Sequence, residues 1–468
     1  MQGITTARGI LGALVLALLA SVARGQTDSR GRILERVVCR ADASQSYALY
    51  VPAGYTAEKK WPVIFCFDPG GRGLVPVELL RGAAEKYGCI AAGSLTSRNG
   101  PYAASVAAAR AMIADVSSRL RVDPGRVYTA GLSGGARVAT LLAMLGLAKG
   151  VIACSAGFPI SADGIPSRVE FSYFATAGTE DFNQSELRRL DRDLEDRKAV
   201  HRLVIHGGGH EWAPAALMSE AVAWMGLQAM RSGACPRDDA MIREEWQARV
   251  AALPTAPGPE RWLALRALTT DFAGLADTGA LADEAKKLGA SREVKQWVKA
   301  DRASLEREQS QQEELNELAA EGSPPSILKF AAQLRQKAEA EADSAERQMA
   351  RRLIAGFAMN TREGTRALFE QEEYAKAAGL LEMTAALRPG RSTTYYDLAR
   401  AWAFDGDRKR ATEALKQAVE AGFRDAEHAQ SDPAFKKLGG DPAFRELIAR
   451  MKVAPEGASI PERGSSER

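Results

Sequence analysis

Ten residues, 127–136, constrain this chain more than any other stretch. Val127-Tyr128-Thr129-Ala130 reads as the end of a buried strand, Gly131-Leu132-Ser133-Gly134-Gly135 as a G-x-S-x-G turn, and the apolar run 138–147 as a buried helix. A strand that becomes a helix within so few residues presents the serine on a sharp turn with its hydroxyl exposed, and the flanking glycines remove side chains that would crowd the backbone. The unpaired N–H groups at the helix start then face any negative charge that develops beside the serine. Ahead of the strand, Val122-Asp123-Pro124-Gly125-Arg126 is a turn signal. Short apolar runs at 62–67, 90–95, 151–156, 171–177 and 203–206 recur with helical segments between them. That alternation predicts an α/β fold, a doubly wound and mostly parallel sheet covered on both faces.

A serine hydroxyl needs a base, and the base needs an orienting acid. The chain has four histidines, His201, His206, His210 and His428. His210 lies in the glycine loop Gly207-Gly208-Gly209-His210-Glu211-Trp212, directly after a strand, where it can reach back to a serine on the same sheet edge. His206 sits near the strand end and suggests packing, His201 starts that strand, and His428 falls in a distant helical region. Between serine and histidine, the strand 171–177 runs into Gly178-Thr179-Glu180-Asp181-Phe182-Asn183. Asp181 is the expected acid and Glu180 its competitor; both could instead cap the helix that begins near Ser185. For the oxyanion, the N–H of Gly134 is one expected donor. The loop Asp68-Pro69-Gly70-Gly71-Arg72 should supply the other, through Gly70, Gly71 or Arg72, with Gly71 favoured, because Pro69 has no N–H. Asn99 and Tyr102, in a loop after the strand 90–95, are candidate substrate contacts, with Trp212 and Phe158 as aromatic walls. Cofactors and metals are not expected.

With these residues in this order, positions 40–232 resemble α/β-hydrolases, nearest to compact secreted polyhydroxybutyrate depolymerases, feruloyl esterases and dienelactone hydrolases. The lead-in Asp123-Pro124 to Arg126-Val127-Tyr128 is similar to that of prolyl-oligopeptidase catalytic domains. The resemblance rests on Gly131-Leu132-Ser133-Gly134-Gly135, the loop from Gly178 to Asp181, and Gly209-His210. It implies Ser133 as nucleophile, Asp181 as acid and His210 as base, acting on a small ester or polyester. Many members carry His-Gly where this chain has Asp68-Pro69. The departure alters donor geometry and places a carboxylate near the site that would deter anionic ligands.

At the N-terminus, Arg8, the apolar run 10–20 and the small residues around Ala23-Arg24-Gly25 read as a signal peptide over residues 1–25, hence a secreted or periplasmic protein with no membrane span. Cleavage there removes Arg8 and Arg24 and no acid, taking the formal charge from +3 to +1. That balance gives no case for nucleic acid or an anionic membrane. Of five cysteines, Cys66 and Cys154 fall in buried strands; any bridge would involve Cys39, Cys89 or Cys235, and no zinc spacing occurs. The hydrolase part is expected to span 26–232. An α-helical region follows over 233–358, including a polar, largely solvated helix at 301–320. A helical domain over 359–452 resembles tetratricopeptide repeats, and a tail over 453–468 is expected to be disordered. The helices opening at Tyr374 and Arg408 are one period apart, and two Asp-Pro-Ala-Phe segments (432–435 and 441–444) read as short capping helices. Such arrays bind extended peptides, so a protein partner is one expectation. The leading expectation is a secreted serine esterase. A prolyl-oligopeptidase-like peptidase and an inactive hydrolase-like binding protein are the alternatives.

Overall fold

A computed structural model of the chain describes residues 30–159, 164–321 and 324–452. The signal segment 1–25 and the tail 453–468 lie outside the described residues. Eight strands build one sheet: β1 Ile33–Val38, β2 Ser46–Tyr50, β3 Trp61–Phe67, β4 Ile90–Ser94, β5 Val122–Leu132, β6 Gly150–Cys154, β7 Ser172–Gly178 and β8 His201–His206. Their order is β1-β2-β4-β3-β5-β6-β7-β8. β2 is antiparallel to β1 and β4, and every other pairing is parallel. This is the doubly wound, mostly parallel α/β arrangement that the alternating pattern predicts.

Helices α1 Leu74–Tyr87, α2 Tyr102–Arg119, α3 Gly134–Met144, α4 Gln184–Asp196 and α5 Ala215–Arg231 cover the sheet. Parallel strands are apolar on both faces and need cover on both, and two cores supply it. On one face Met112 and Val116 of α2, Val138 and Leu142 of α3 and Leu187 and Leu190 of α4 pack on Val63, Phe65, Val151 and Tyr173. On the other, Val77 and Leu80 of α1 and Leu217, Met218 and Trp224 of α5 pack on Ile64, Cys66, Ile152 and Phe174. β1 carries no sequence signal because it is an edge strand, largely exposed. The turn expected ahead of the strand at 122–126 does not precede it. It is a bulge inside β5, where Trp61 pairs with Val122 but Val63 with Val127, and Asp123 Oδ1 accepts the Gly125 N–H (3.0 Å). All five cysteines are free, so Cys39, Cys89 and Cys235 form no bridge.

The compact unit containing the sheet runs to Leu305. It includes α6 Asp239–Ala251, α7 Pro259–Asp271 and α8 Gly279–Ala290. Leu227 and Met230 of α5 join Ile242, Leu268, Phe272 and Leu275 in one apolar cluster. Buried Asp271 anchors that seam. It accepts from the Trp224 indole (2.6 Å), from Arg249 (2.8 Å) and from Arg202 of β8.

The second unit spans Glu306–Arg468, and its described elements are all helical. It begins within α9 Arg292–Glu321 and continues through α10 Pro324–Ala338, α11 Ala345–Glu370, α12 Tyr374–Leu387, α13 Ser392–Asp405, α14 Arg408–Glu420, α15 Ala426–Ser431, a 3₁₀ helix Pro433–Leu438 and α16 Pro442–Lys452. The polar stretch of α9 is not simply solvated. Leu315 is buried with Leu334, Leu353 and Phe357, and buried Glu308 holds Arg352 of α11 (2.6 Å). Gly406 closes α13 in a left-handed conformation (φ 92°), and Asp407 caps α14 by accepting the Arg410 N–H (3.0 Å). The first Asp-Pro-Ala-Phe segment opens the short 3₁₀ helix, but the second opens an 11-residue α-helix.

Removing one partner from a buried charge cluster leaves the others uncompensated. Asp271→Ala should therefore lower the unfolding free energy by about 3 kcal/mol, measured by urea denaturation, whereas truncating the exposed Leu263 to alanine should change it by less than about 0.5 kcal/mol.

Candidate active site

The C-terminal ends of β5, β6, β7 and β8 form one rim. Leu132 pairs with Cys154, Cys154 with Thr176, and Gly178 with His206. Ser133 follows β5 with φ 54° and ψ −122°, a conformation rarely adopted by a side-chain-bearing residue. Its N–H donates to the Cys154 carbonyl (2.9 Å), and its own carbonyl accepts from Ala136 (2.9 Å) and Arg137 (3.2 Å) to start α3. The glycines of the turn are required by close approach. A Cβ on Gly131 would lie 2.2 Å from the Gly135 backbone, and one on Gly135 would lie 2.0 Å from the Phe67 carbonyl oxygen.

Asp181 follows β7 and is fully buried. Its Oδ1 accepts the Asn183 N–H (2.9 Å) and meets His210 Nδ1 at 2.8 Å. A carboxylate only accepts, so Nδ1 carries the proton and Nε2 is left as the basic nitrogen. Asp181 Oδ2 is buried without a hydrogen-bond partner. The competitor Glu180 uses its N–H on the Gly208 carbonyl (2.9 Å), and Thr179 donates to the His206 carbonyl (2.8 Å), stitching the acid loop to the histidine loop. His206 Nδ1 lies against its neighbour's carbonyl at Gly207 (2.8 Å), and His201 pairs with Asp191 (3.3 Å).

Sequence reading missed the residues that aim His210. Phe182, the residue after the acid, stacks its ring on the imidazole with centroids 4.0 Å apart. Ser155, buried at the end of β6, donates to the Glu211 carbonyl (3.1 Å). The Trp212 indole donates to Asp68 Oδ2 (3.0 Å). The histidine loop therefore starts at β8, passes the acid on β7 and is tethered beyond β5 to the end of β3. His210 lies on that path. Among the described residues Ser133 Oγ has no hydrogen-bond partner; such contacts commonly tighten only when substrate binds.

Three expectations need correction. Gly71 is not a free oxyanion donor, because its N–H donates to the Asp68 carbonyl (3.0 Å) within a tight turn (φ 74°). Trp212 and Phe158 are not pocket walls. Trp212 is buried in the core with its indole N–H held by Asp68, and Phe158 packs against Phe171 and Tyr173. Asp68 does not present a carboxylate to ligands. It is fully buried and accepts from Gly70 N–H (2.8 Å), Arg72 Nε (2.9 Å) and Trp212. Tyr102 opens α2, half-buried against the core. Asn99 is exposed, anchored by its N–H to the Pro69 carbonyl (2.8 Å), with its carboxamide beside Gly134. Among the described residues no cluster of three His, Cys, Asp or Glu side chains is placed to hold a metal, and no helix is long and apolar enough to cross a membrane.

Burial alone would raise the Asp68 pKa, but the hydrogen bonds from Arg72, Trp212 and Gly70 outweigh it and hold the group below its ordinary 3.8. A depressed folded-state pKa means stability that is present above the unfolded value and lost as pH falls through the folded one. Asp68→Asn should therefore cost about 2 kcal/mol at about pH 7, and the difference from wild type should shrink as pH falls below 3.8 and through the lower folded-state value. Urea unfolding across that pH series checks this.

No protein-family model matches the chain, and no curated protein matches it. Among solved structures it is similar to an esterase from Pyrobaculum calidifontis, at 15% identity over 47% of this chain and 98% of that one, with a TM-score of 0.36. It is also similar to a ferulic acid esterase, at 16% identity over 42% and 96% with a TM-score of 0.34. A third, the esterase LipW from Mycobacterium marinum, has 18% identity over 47% and 91% with a TM-score of 0.35.

Proposed function

We propose that this chain is a serine hydrolase that cleaves carboxylic esters through an acyl-enzyme, with Ser133, His210 and Asp181 as its triad. One observation carries the reading: the buried Asp181 carboxylate holds His210 Nδ1 at 2.8 Å, in a loop tethered to the ends of β6 and β3. Ser133 Oγ attacks the acyl carbonyl carbon while His210 Nε2 takes its proton. Asp181 keeps the tautomer and compensates the imidazolium. The carbonyl π electrons move to oxygen, and the Gly134 N–H, which has no intrahelical acceptor at the first position of α3, binds the oxyanion. Collapse breaks the C–O bond to the leaving alkoxide, which takes the proton from His210 and departs as the alcohol. Water, deprotonated by His210, attacks the acyl carbon and frees the acid and Ser133. The N-terminal segment would direct export, and helices α12 to α14 would form a tetratricopeptide-like array able to receive a protein partner.

A fluorophosphonate probe on the full-length protein should label wild type and fail on Ser133→Ala. On short p-nitrophenyl esters, Ser133→Ala or His210→Ala should lower kcat by about 10⁴-fold or more, and Asp181→Asn by about 10⁴-fold. A folded wild type that neither labels nor turns over would instead favour the binding-protein alternative. Faster cleavage of aminoacyl anilides than of esters would favour the peptidase.

A further inference from the structure

The oxyanion site has one amide donor ready, Gly134, and lacks the second that acyl transfer ordinarily uses. The β3–α1 loop does not provide it in this conformation. Pro69 has no N–H, Gly70 N–H is held by Asp68 Oδ1 (2.8 Å), and Gly71 N–H by the Asp68 carbonyl (3.0 Å). The Arg72 N–H also faces Asp68 Oδ1 (3.4 Å). One carboxylate and its own carbonyl thus occupy the whole loop.

The side chain that crowds Gly134 is that of Asn99. A Cβ built on Gly134 would stand 1.9 Å from Asn99 Oδ1 and 3.4 Å from its Nδ2, so the carboxamide lies against the residue whose N–H faces the oxyanion. The Asn99 backbone is fixed by the Pro69 carbonyl (2.8 Å), and its carboxamide makes no hydrogen bond among the described residues. Nothing pins which end faces inward, and rotating an exposed amide by half a turn exchanges oxygen for nitrogen at little cost. An arriving negative oxygen selects the nitrogen-inward state, because the alternative sets two acceptors against each other.

We infer that the Asn99 side-chain amide is the second oxyanion donor of this site, acting in place of the β3–α1 loop amides. The inference rests on the serine-hydrolase reading above and assigns Asn99 a bond made in the transition state rather than a ground-state substrate contact. It also accounts for glycine at position 134, since any side chain there would displace the carboxamide.

The test is steady-state kinetics of full-length wild type, Asn99→Ala and Asn99→Asp on p-nitrophenyl esters, beside fluorophosphonate labelling of wild type. Asn99→Asp keeps the shape and loses the donor, so it serves if the alanine variant folds poorly. Loss of an oxyanion donor should lower kcat about 10²- to 10³-fold and leave KM within about threefold. If wild type labels and turns over while a folded variant keeps kcat within about threefold, this inference fails and the esterase reading stands. A rise confined to KM sinks it equally. If wild type neither labels nor turns over, the esterase reading itself fails and takes the inference with it.

Discussion

The turn that presents Ser133 depends on a backbone contact that only glycine permits. At the end of β5 the turn through Gly131, Ser133 and Gly135 is pressed against Phe67 of β3, with less room at each glycine than one methyl group needs. The constraint leaves Ser133 the one residue of the turn with a functional group, held in a conformation that costs about 1–3 kcal/mol. The surrounding sheet sustains that cost. β3, β5 and β6 are central strands, buried on both faces, and the serine N–H is bonded to the adjacent strand end. A flexible turn could relax the strain; one flanked by two parallel ladders and a core helix cannot.

A second set of interactions brings the remote residues to that turn. The stretch that leads to His210, Gly207, Gly208 and Gly209 in succession, has no side chain of its own to bury. It is placed by polar contacts with buried partners: Asp181 to the imidazole, Ser155 to the Glu211 carbonyl, and Asp68 to the Trp212 indole. Hydrogen bonds shielded from water hold their geometry better than exposed ones, and Phe182 adds a ring against the imidazole face. Asp68 links the two halves of the site, since the carboxylate that anchors Trp212 also organises the loop after β3. That double use is why the Gly70 and Gly71 amides are not free.

Much of the fold was legible because it is written in local patterns. β3, β4, β6, β7 and β8 are short apolar runs bounded by turn residues, and the Ala-rich helices α12 to α14 are periodic with an Asp-Gly-Asp turn between the last two. Where reading failed, the deciding force was non-local. β1 is an exposed edge strand whose partner defines it. The turn residues at 123–126 became a bulge because the ladder to β3 resumes beyond them. The polar stretch of α9 looked solvated until Glu308 met Arg352 from 44 residues away. Trp212 read as a pocket wall because an aromatic beside a histidine loop looks the same on paper whether it faces a ligand or a buried carboxylate.

By itself, then, the amino-acid order determined the strand-turn-helix around Ser133, the parallel class of the sheet, and the sequence of serine, acid and histidine, because each follows from propensities and periodicity within a dozen residues. Only the tertiary structure decided that Asp181 rather than Glu180 meets His210, that Asp68 is an internal strut, and that Asn99 rests on Gly134. Those outcomes depend on which loop ends lie side by side across strands far apart in the chain, and on which buried polar groups find partners there. No local propensity encodes that.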